Sequence, residues 1–96
     1  MKSVTFTPLA KNDINDIWDY TIKAWGQKQA VSYTQALRDA AQGLADGRSI
    51  GRSVTVRPGY FKHKSGEHFL FYKEHKTEIK IIRILHTRMD VERHLK

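Results

Sequence analysis

The amino-acid sequence predicts an α+β domain of the order β-α-α-β-β-β, in which a helical hairpin packs on a mostly antiparallel four-stranded sheet. Apolar residues recur every three to four positions in the first half of the chain, which is typical of helices. From Ser49 onwards the hydrophobic period changes to two, which is typical of strands. The chain has 96 residues, about the size of one domain, so we expect residues 1–96 to form a single unit.

The beginning of the chain predicts one strand and one helix. Residues 2–7 alternate between apolar and polar side chains, as a short strand does. Thr7 and Pro8 are typical of an N-cap and a first helical position, and Gly26 can adopt the positive φ that ends a helix. Helical spacing predicts that both tryptophans lie in the core, in a stripe that comprises Ile14, Ile17, Trp18, Thr21 and Trp25.

A second helix is predicted from Gln27 to Ala45, and it ends at the turn of Asp46 and Gly47. Because only a short turn separates the two helices, they must lie antiparallel as a hairpin. The buried stripe of the second helix is rich in small residues, which allow close approach to the first. It comprises Ala30, Tyr33, Leu37, Ala40, Ala41 and Leu44.

Three further strands are predicted in the second half of the chain. The last of them is apolar on both faces near its centre, which indicates a central strand covered on both sides. The tail is expected to form one helical turn or irregular chain. The three strands and the tail cover residues 54–63, 67–73, 78–86 and 89–96, in that order.

Strict alternation along the last strand predicts which side chains share a face. Arg83 would lie against the helices or at the sheet edge, as a structural ion-pair residue, whereas His86 would be a structural or a contact histidine on the other face. The first face would hold Ile79, Ile81, Arg83 and Leu85, and the second Lys80, Ile82, Ile84 and His86.

Positive charge is concentrated in the second half of the chain. The formal net charge is +7; residues 1–48 hold six basic and five acidic side chains, and residues 49–96 hold eleven basic and five acidic ones. All five histidines also lie in the second half. A basic half indicates a polyanionic partner, or a protein surface that normally meets one, although an ordinary soluble basic surface has the same composition.

Several classes of site are excluded by composition. The chain has no cysteine, which excludes disulfides, thiolate nucleophiles and cysteine-based zinc sites. No histidine pair has the spacing of a helical metal site, so we expect no metal and no cofactor. The sequence contains neither an apolar run of membrane-spanning length nor a signal-peptide pattern, so we expect a cytoplasmic protein without membrane contact.

Motifs in most parts of the chain resemble those of one protein family. Taken in order, they resemble ParE-type toxins of bacterial toxin–antitoxin modules, which belong to the RelE/ParE superfamily. The resemblance implies a toxin that a co-expressed antitoxin holds inactive. The motifs lie in residues 8–17, 25–30, 51–52, 56–60, 66–72 and 83–90.

The superfamily has two functional branches, and the residues favour the branch that poisons DNA gyrase without catalysis. In the ribonuclease branch that resembles YoeB, an arginine follows a Glu-His pair, whereas here Phe69 follows Glu67 and His68. That branch also has a carboxylate before its Gly-Tyr turn, whereas residues 53–58 contain neither Asp nor Glu. A phenylalanine cannot stabilise a phosphorane, so we predict a gyrase poison that blocks replication and is not an enzyme.

Two alternatives remain open. The first is a ribosome-dependent mRNA endoribonuclease of the RelE type, for which the catalytic candidates are His86, Arg83 and Lys62. The second is a plain nucleic-acid-binding domain, because the strands interleave aromatic residues with lysine and histidine.

The predicted partners are DNA gyrase and a cognate ParD-like antitoxin of the ribbon-helix-helix type, in a hetero-oligomeric complex. An acidic antitoxin segment would fold across the hairpin and onto the basic sheet. The candidates for target binding are Arg57, Lys62, Lys64, His86 and Arg88. The candidates for antitoxin binding are Trp18, Trp25, Tyr33, Leu37 and Arg83.

Overall fold

The computed structural model describes residues 2–95 and contains a five-stranded sheet with a helical hairpin on one face. The strands lie in the order β1-β5-β4-β3-β2; β1 is parallel to β5, and the other neighbours are antiparallel. The α+β prediction is confirmed, with one short strand more than the four predicted. The elements are β1 (Ser3–Phe6), α1 (Pro8–Trp25), α2 (Gln27–Ala45), β2 (Arg52–Ser53), β3 (Phe61–Ser65), β4 (His68–Glu74), β5 (Glu78–His86) and α3 (Val91–His94).

Local sequence determines the ends of both long helices as predicted. The hydroxyl of Thr7 accepts a hydrogen bond from the Ala10 amide at 3.1 Å, and Pro8 occupies the first helical turn. Gly26 has φ of +94°, which ends α1 and leads directly into α2. The predicted bounds of α2 and β5 agree with the structure, whereas β4 begins and ends one residue later than predicted.

The strand β5 lies between β1 and β4, as its apolar centre predicts. The predicted helical turn in the tail is α3, and Lys96 lies outside the described residues. The prediction of a strand from 54 to 63 is only partly correct. Residues 54–60 form turns between β2 and β3, because Pro58 and Gly59 interrupt the ladder.

A bulge in β5 changes the predicted distribution of its side chains. Phe71 pairs with Arg83 and Tyr72 pairs with Ile81, so Ile82 has no partner on β4. Strict alternation is therefore wrong beyond Ile82: Ile84 packs in the same core cluster as Ile79 and Ile81. By the same shift His86 lies on the face of the sheet that carries the helices, not on the face of Lys80.

The main core lies between the hairpin and the sheet, and a second apolar cluster lies on the opposite face. The prediction that Trp25 belongs to the core is wrong, because its side chain is 73% exposed. Burial in α1 ends one turn earlier, at Thr21, and the last turn extends past the core. Trp18 is half-buried. The second cluster contains Val54, Phe71, Leu85 and Leu95.

Candidate functional site

The two faces of the sheet differ in what covers them. We call the face that packs on α1 and α2 the hairpin face, and the opposite face the outer face. Side chains that are paired across strands share a face, so the cross-strand pairs assign each residue. Cations on the outer face comprise Arg52 and Lys62, which pair with each other, Lys73 and Lys80, which pair with each other, and Lys64, which pairs with Phe69.

None of these five cations forms an ion pair within residues 2–95. The ion pairs of the described chain join Lys2 to Glu74, Arg48 to Asp46, and Arg83 to Asp13. The charge of these five cations is therefore not neutralised by an ion pair within the described residues, and the face attracts an anionic partner.

Aromatic rings hold part of this charge in place. The Nζ atom of Lys62 lies 4.7 Å from the centroid of the Phe69 ring, and that of Lys73 lies 4.8 Å from the Tyr60 ring. The guanidinium carbon of Arg57 lies 5.5 Å from the same Tyr60 ring, and Arg57 donates to the Leu95 carbonyl at 2.8 Å. Arg57 thus holds Leu95 against the outer face.

Arg83 has a structural role at the boundary between α1 and β5. Its Nε and Nη2 atoms donate to the two carboxylate oxygens of Asp13 at 2.8 and 2.9 Å. Asp13 also accepts the Ile84 amide at 2.8 Å, on the part of β5 that β1 does not cover. The hydrogen bond to Asp13 raises the pKa of Arg83 despite the opposing effect of burial. The predicted ion-pair role of Arg83 is confirmed, but its predicted face is wrong: because of the bulge, Arg83 pairs with Phe71 on the outer face and not with the residues beside Ile79 and Ile81.

On the hairpin face, Tyr33, His68 and His86 form a polar cluster at the border of the core. The hydroxyl of Tyr33 lies 2.6 Å from Nδ1 of His68 and accepts the Glu67 amide at 2.9 Å. The rings of His68 and His86 meet edge to face, with centroids 5.3 Å apart. Burial, together with the charge of His86, lowers the pKa of His68, and burial raises the pKa of Tyr33.

His68 was not among the residues that the sequence singled out for a site. Its partner Tyr33 is 35 positions away, so no local spacing reveals the contact. The Glu67-His68 pair serves in the sequence for comparison with the ribonuclease branch, and it does not indicate Tyr33 as a partner.

The structure does not bring the five target-binding candidates together. Lys62 and Lys64 lie on the outer face, and Arg57 is half-buried beside Leu95. His86 lies on the hairpin face, and Arg88 is exposed in the turn that follows β5, where its amide donates to Nδ1 of His86 at 3.1 Å. The candidates therefore form two groups, one on the outer face and one at the carboxyl end of β5.

The antitoxin-binding candidates also differ in accessibility. Trp25 is exposed at the helical turn, and Trp18 and Tyr33 are half-buried. Leu37 is 1% exposed and belongs to the main core, so its side chain is not offered to a partner in this structure. The side chain of Arg83 is only 17% exposed and already pairs with Asp13.

Within residues 2–95, no three side chains among histidine, aspartate and glutamate lie close enough together to hold a metal ion. Neither long helix is apolar enough to cross a membrane.

A family model described as "ParE toxin of type II toxin-antitoxin system, parDE" matches residues 4–91. The chain is 41% identical over 91 residues to Toxin ParE1 of Mycobacterium tuberculosis, and the match covers 93% of each chain. It is 34% identical over 96 residues to Toxin ParE1 of Caulobacter vibrioides, with 99% of each chain covered.

Solved structures share the fold at lower identity. The chromosomal ParDE system of P. aeruginosa contains a chain with a TM-score of 0.76 and 22% identity, which covers 90% of this chain and 96% of its own. The YoeB–YefM complex of Staphylococcus aureus contains one with a TM-score of 0.60 and 19% identity, which covers 90% and 97%. Since the family model spans most of the sequence and both curated relatives match over nearly their whole length, the chain belongs to the ParE toxin family of type II toxin–antitoxin systems.

Proposed function

We propose that this ParE-family toxin poisons DNA gyrase by binding to it, blocks replication in the cytoplasm, and catalyses no reaction. The observation that carries the proposal is the arrangement of Arg83, His86 and Lys62, the three residues that a ribonuclease mechanism would require here. Lys62 and His86 lie on opposite faces and Arg83 is bonded to Asp13, whereas the five cations of the outer face form no ion pair within residues 2–95.

Metal-free cleavage of RNA requires a base, an acid and a cation around one phosphate. Arg83 is committed to Asp13 through two hydrogen bonds, so it is not free to stabilise a phosphorane. Lys62 lies on the outer face and His86 on the hairpin face, with the sheet between them. This separation supports a function in binding over one in catalysis.

A second candidate function is the ribosome-dependent endoribonuclease, and the contact between His68 and His86 favours it. Two imidazoles at 5.3 Å could supply an acid and a base. However, Nδ1 of His68 is occupied by Tyr33, and Nδ1 of His86 accepts the Arg88 amide. Phe69, which follows the Glu-His pair, lies on the outer face opposite Leu85 and adds no charge to this cluster.

The antitoxin is proposed to be an acidic ParD-like protein of the ribbon-helix-helix type that covers the hairpin and part of the basic half. Exposed apolar side chains on the hairpin support this choice of surface; they include Tyr20 at 70% exposure and Trp25 at 73%. Because a partner that binds only the folded toxin stabilises it by mass action, the cognate antitoxin should raise the melting temperature by several degrees or more. An unchanged melting temperature would exclude the tested protein as the antitoxin.

The target is tested with purified toxin in two parallel assays, gyrase supercoiling of relaxed plasmid and cleavage of mRNA on programmed ribosomes. We expect loss of supercoiling with accumulation of cleaved plasmid, intact mRNA, and recovery of supercoiling when the antitoxin is added. Intact supercoiling together with cleaved mRNA would contradict the proposal and support the endoribonuclease.

A further inference from the structure

We infer that the outer face carries a binding track for the phosphodiester backbone of DNA, formed by Lys64, Lys62, Tyr60, Lys73 and Lys80. The inference is independent of gyrase as the target. It rests on the position of these residues, on the lack of any ion pair to the four lysines within residues 2–95, and on the way the apolar part of the face is covered.

The five side chains follow one another across the sheet. Lys64, Lys62 and Tyr60 alternate along β3 and the residue before it, so neighbours are about 7 Å apart. The track then turns across the sheet, because Lys73 lies over the Tyr60 ring at 4.8 Å and pairs with Lys80 on β5. Neighbouring strands are about 5 Å apart, so the four lysines start from adjacent positions of one face.

No carboxylate of the described chain pairs with the lysines of this track. The nearest acidic residue along β5 is Glu78, which shares the outer face with Lys80 and accepts a hydrogen bond from the Thr5 hydroxyl of β1. A series of cations that form no ion pair attracts a ligand with regularly repeated negative charge, and releases condensed counterions when it binds one.

The coverage of the outer face favours nucleic acid over an acidic protein segment. An amphipathic segment docks through apolar side chains into an apolar groove. On the outer face Phe71 and Leu85 are at most 1% exposed, because Leu95 and Val91 already pack on them. The accessible surface between the lysines is thus ionic with two half-buried rings, Tyr60 and Phe69, and it suits a phosphate backbone.

The inference is tested by fluorescence anisotropy with a labelled 20-base-pair DNA duplex at 50 to 200 mM salt. If the four lysines contact phosphates, binding should weaken roughly 100-fold across this range, because each contact contributes about −0.9 to the log–log slope. The affinity of the Lys73→Gln, Lys80→Gln double variant for the duplex should fall only about tenfold over the same range of salt concentration. The matched control, Lys11→Gln with Lys28→Gln, removes the same charge from exposed positions of the two helices and should retain the wild-type slope.

The inference would be overturned if the logarithm of the affinity depended on the logarithm of the salt concentration with the same slope in the two double variants. It would also be overturned if the wild type did not bind the duplex at 50 mM salt. Displacement of the duplex by polyglutamate as effectively as by unlabelled DNA of equal charge would also overturn it, and would favour an acidic protein partner. Gyrase inhibition without track-dependent DNA binding would overturn this inference alone. DNA binding without gyrase inhibition would overturn only the proposed target.

Discussion

Charged residues behave in opposite ways at the junction of the hairpin with the sheet and on the rest of the outer face. At the junction, Asp13 of α1 pairs with Arg83, which lies opposite Phe71 on the outer face, and Tyr33 bonds to His68 at the border of the core. On the outer face, lysines lie on aromatic rings without any acidic partner in the described chain. The first arrangement stabilises the fold, whereas the second leaves electrostatic free energy available for a partner.

This difference explains why position in the basic half does not by itself indicate a binding role. Arg83 and Lys62 both belong to that half, and both were candidates for chemistry. Arg83 is fixed by an intramolecular carboxylate, and Lys62 is not. Substitution in the Asp13–Arg83 pair and substitution of the outer-face lysines should therefore separate stability from toxicity.

The largest effect on stability is expected from Asp13→Ala. It leaves the Arg83 guanidinium and the Ile84 amide without their acceptor in a partly buried position, which should cost about 3–5 kcal/mol. The melting temperature should fall by more than about 10 °C. Thermal unfolding followed by circular dichroism measures the change, with Asp16→Ala at an exposed position of α1 as the control. A loss below about 1 kcal/mol would show that the pair contributes little.

A smaller loss is expected from Gly66→Ala in the turn between β3 and β4. Gly66 has φ of +60°, and a Cβ atom there would lie 2.7 Å from the Tyr33 hydroxyl oxygen. The combined strain and displacement of Tyr33 should cost about 2–3 kcal/mol. Gly59→Ala is the matched control, since φ is +85° but no atom lies within 4 Å, and it should cost only about 1 kcal/mol. If urea unfolding gave the same loss of stability for Gly66→Ala and Gly59→Ala, a role for the Tyr33 contact would be excluded.

On the outer face and the following turn, substitution should affect function more than stability. None of the three side chains in the triple variant Lys62→Ala, Lys64→Ala and Arg88→Ala forms an ion pair within residues 2–95. The free energy of unfolding should therefore change by about 1–2 kcal/mol or less. Growth inhibition after induction should nevertheless be lost, if these residues contact the target. A fully toxic triple variant would place the contact elsewhere, on the helical hairpin.

The smallest effect is a pH dependence that arises from His68. Burial and His86 lower its pKa in the folded state, and these outweigh the opposing effects of Glu67 and Asp13. The unfolded chain therefore binds the proton first, so stability should begin to fall as the pH drops below about 6.5 and level off below the folded-state pKa. Urea unfolding between pH 7.5 and 5 should show a flatter profile for His68→Gln than for His75→Gln, which alters an exposed loop residue. Identical profiles would exclude His68 as the source.

Periodicity and caps in the sequence predict the helices because their signals are local. Thr7, Pro8 and Gly26 act within one turn of the residues that they cap. The bulge at Ile82 has no such signal, since it depends on how β4 and β5 pair, and it reverses the face of His86. The burial of Trp25 is also not encoded locally. Helical spacing predicts the side of α1 on which Trp25 lies, but tertiary packing decides how far the core extends along the helix.

The candidate site is likewise predictable only where its signals in the sequence are local. The net charge of the second half indicates a basic surface, and strand alternation places Lys62 and Lys64 together on it. The contact of Tyr33 with His68 and the packing of Leu95 on the outer face join distant parts of the chain. These contacts decide which charges are satisfied, and no spacing in the sequence encodes them.

The most direct test of a non-catalytic toxin is the His86→Gln variant, induced in cells while DNA synthesis and translation are followed by labelled precursors. Glutamine can still accept the Arg88 amide, so a binding function should lose about 1 kcal/mol, and toxicity should weaken several-fold at most. We expect DNA synthesis to stop with an SOS response while translation continues. A nuclease would instead lose the 10²–10⁴-fold contribution typical of a general acid. Abolished toxicity in the variant, together with mRNA cleaved on ribosomes by the wild type, would contradict the proposal.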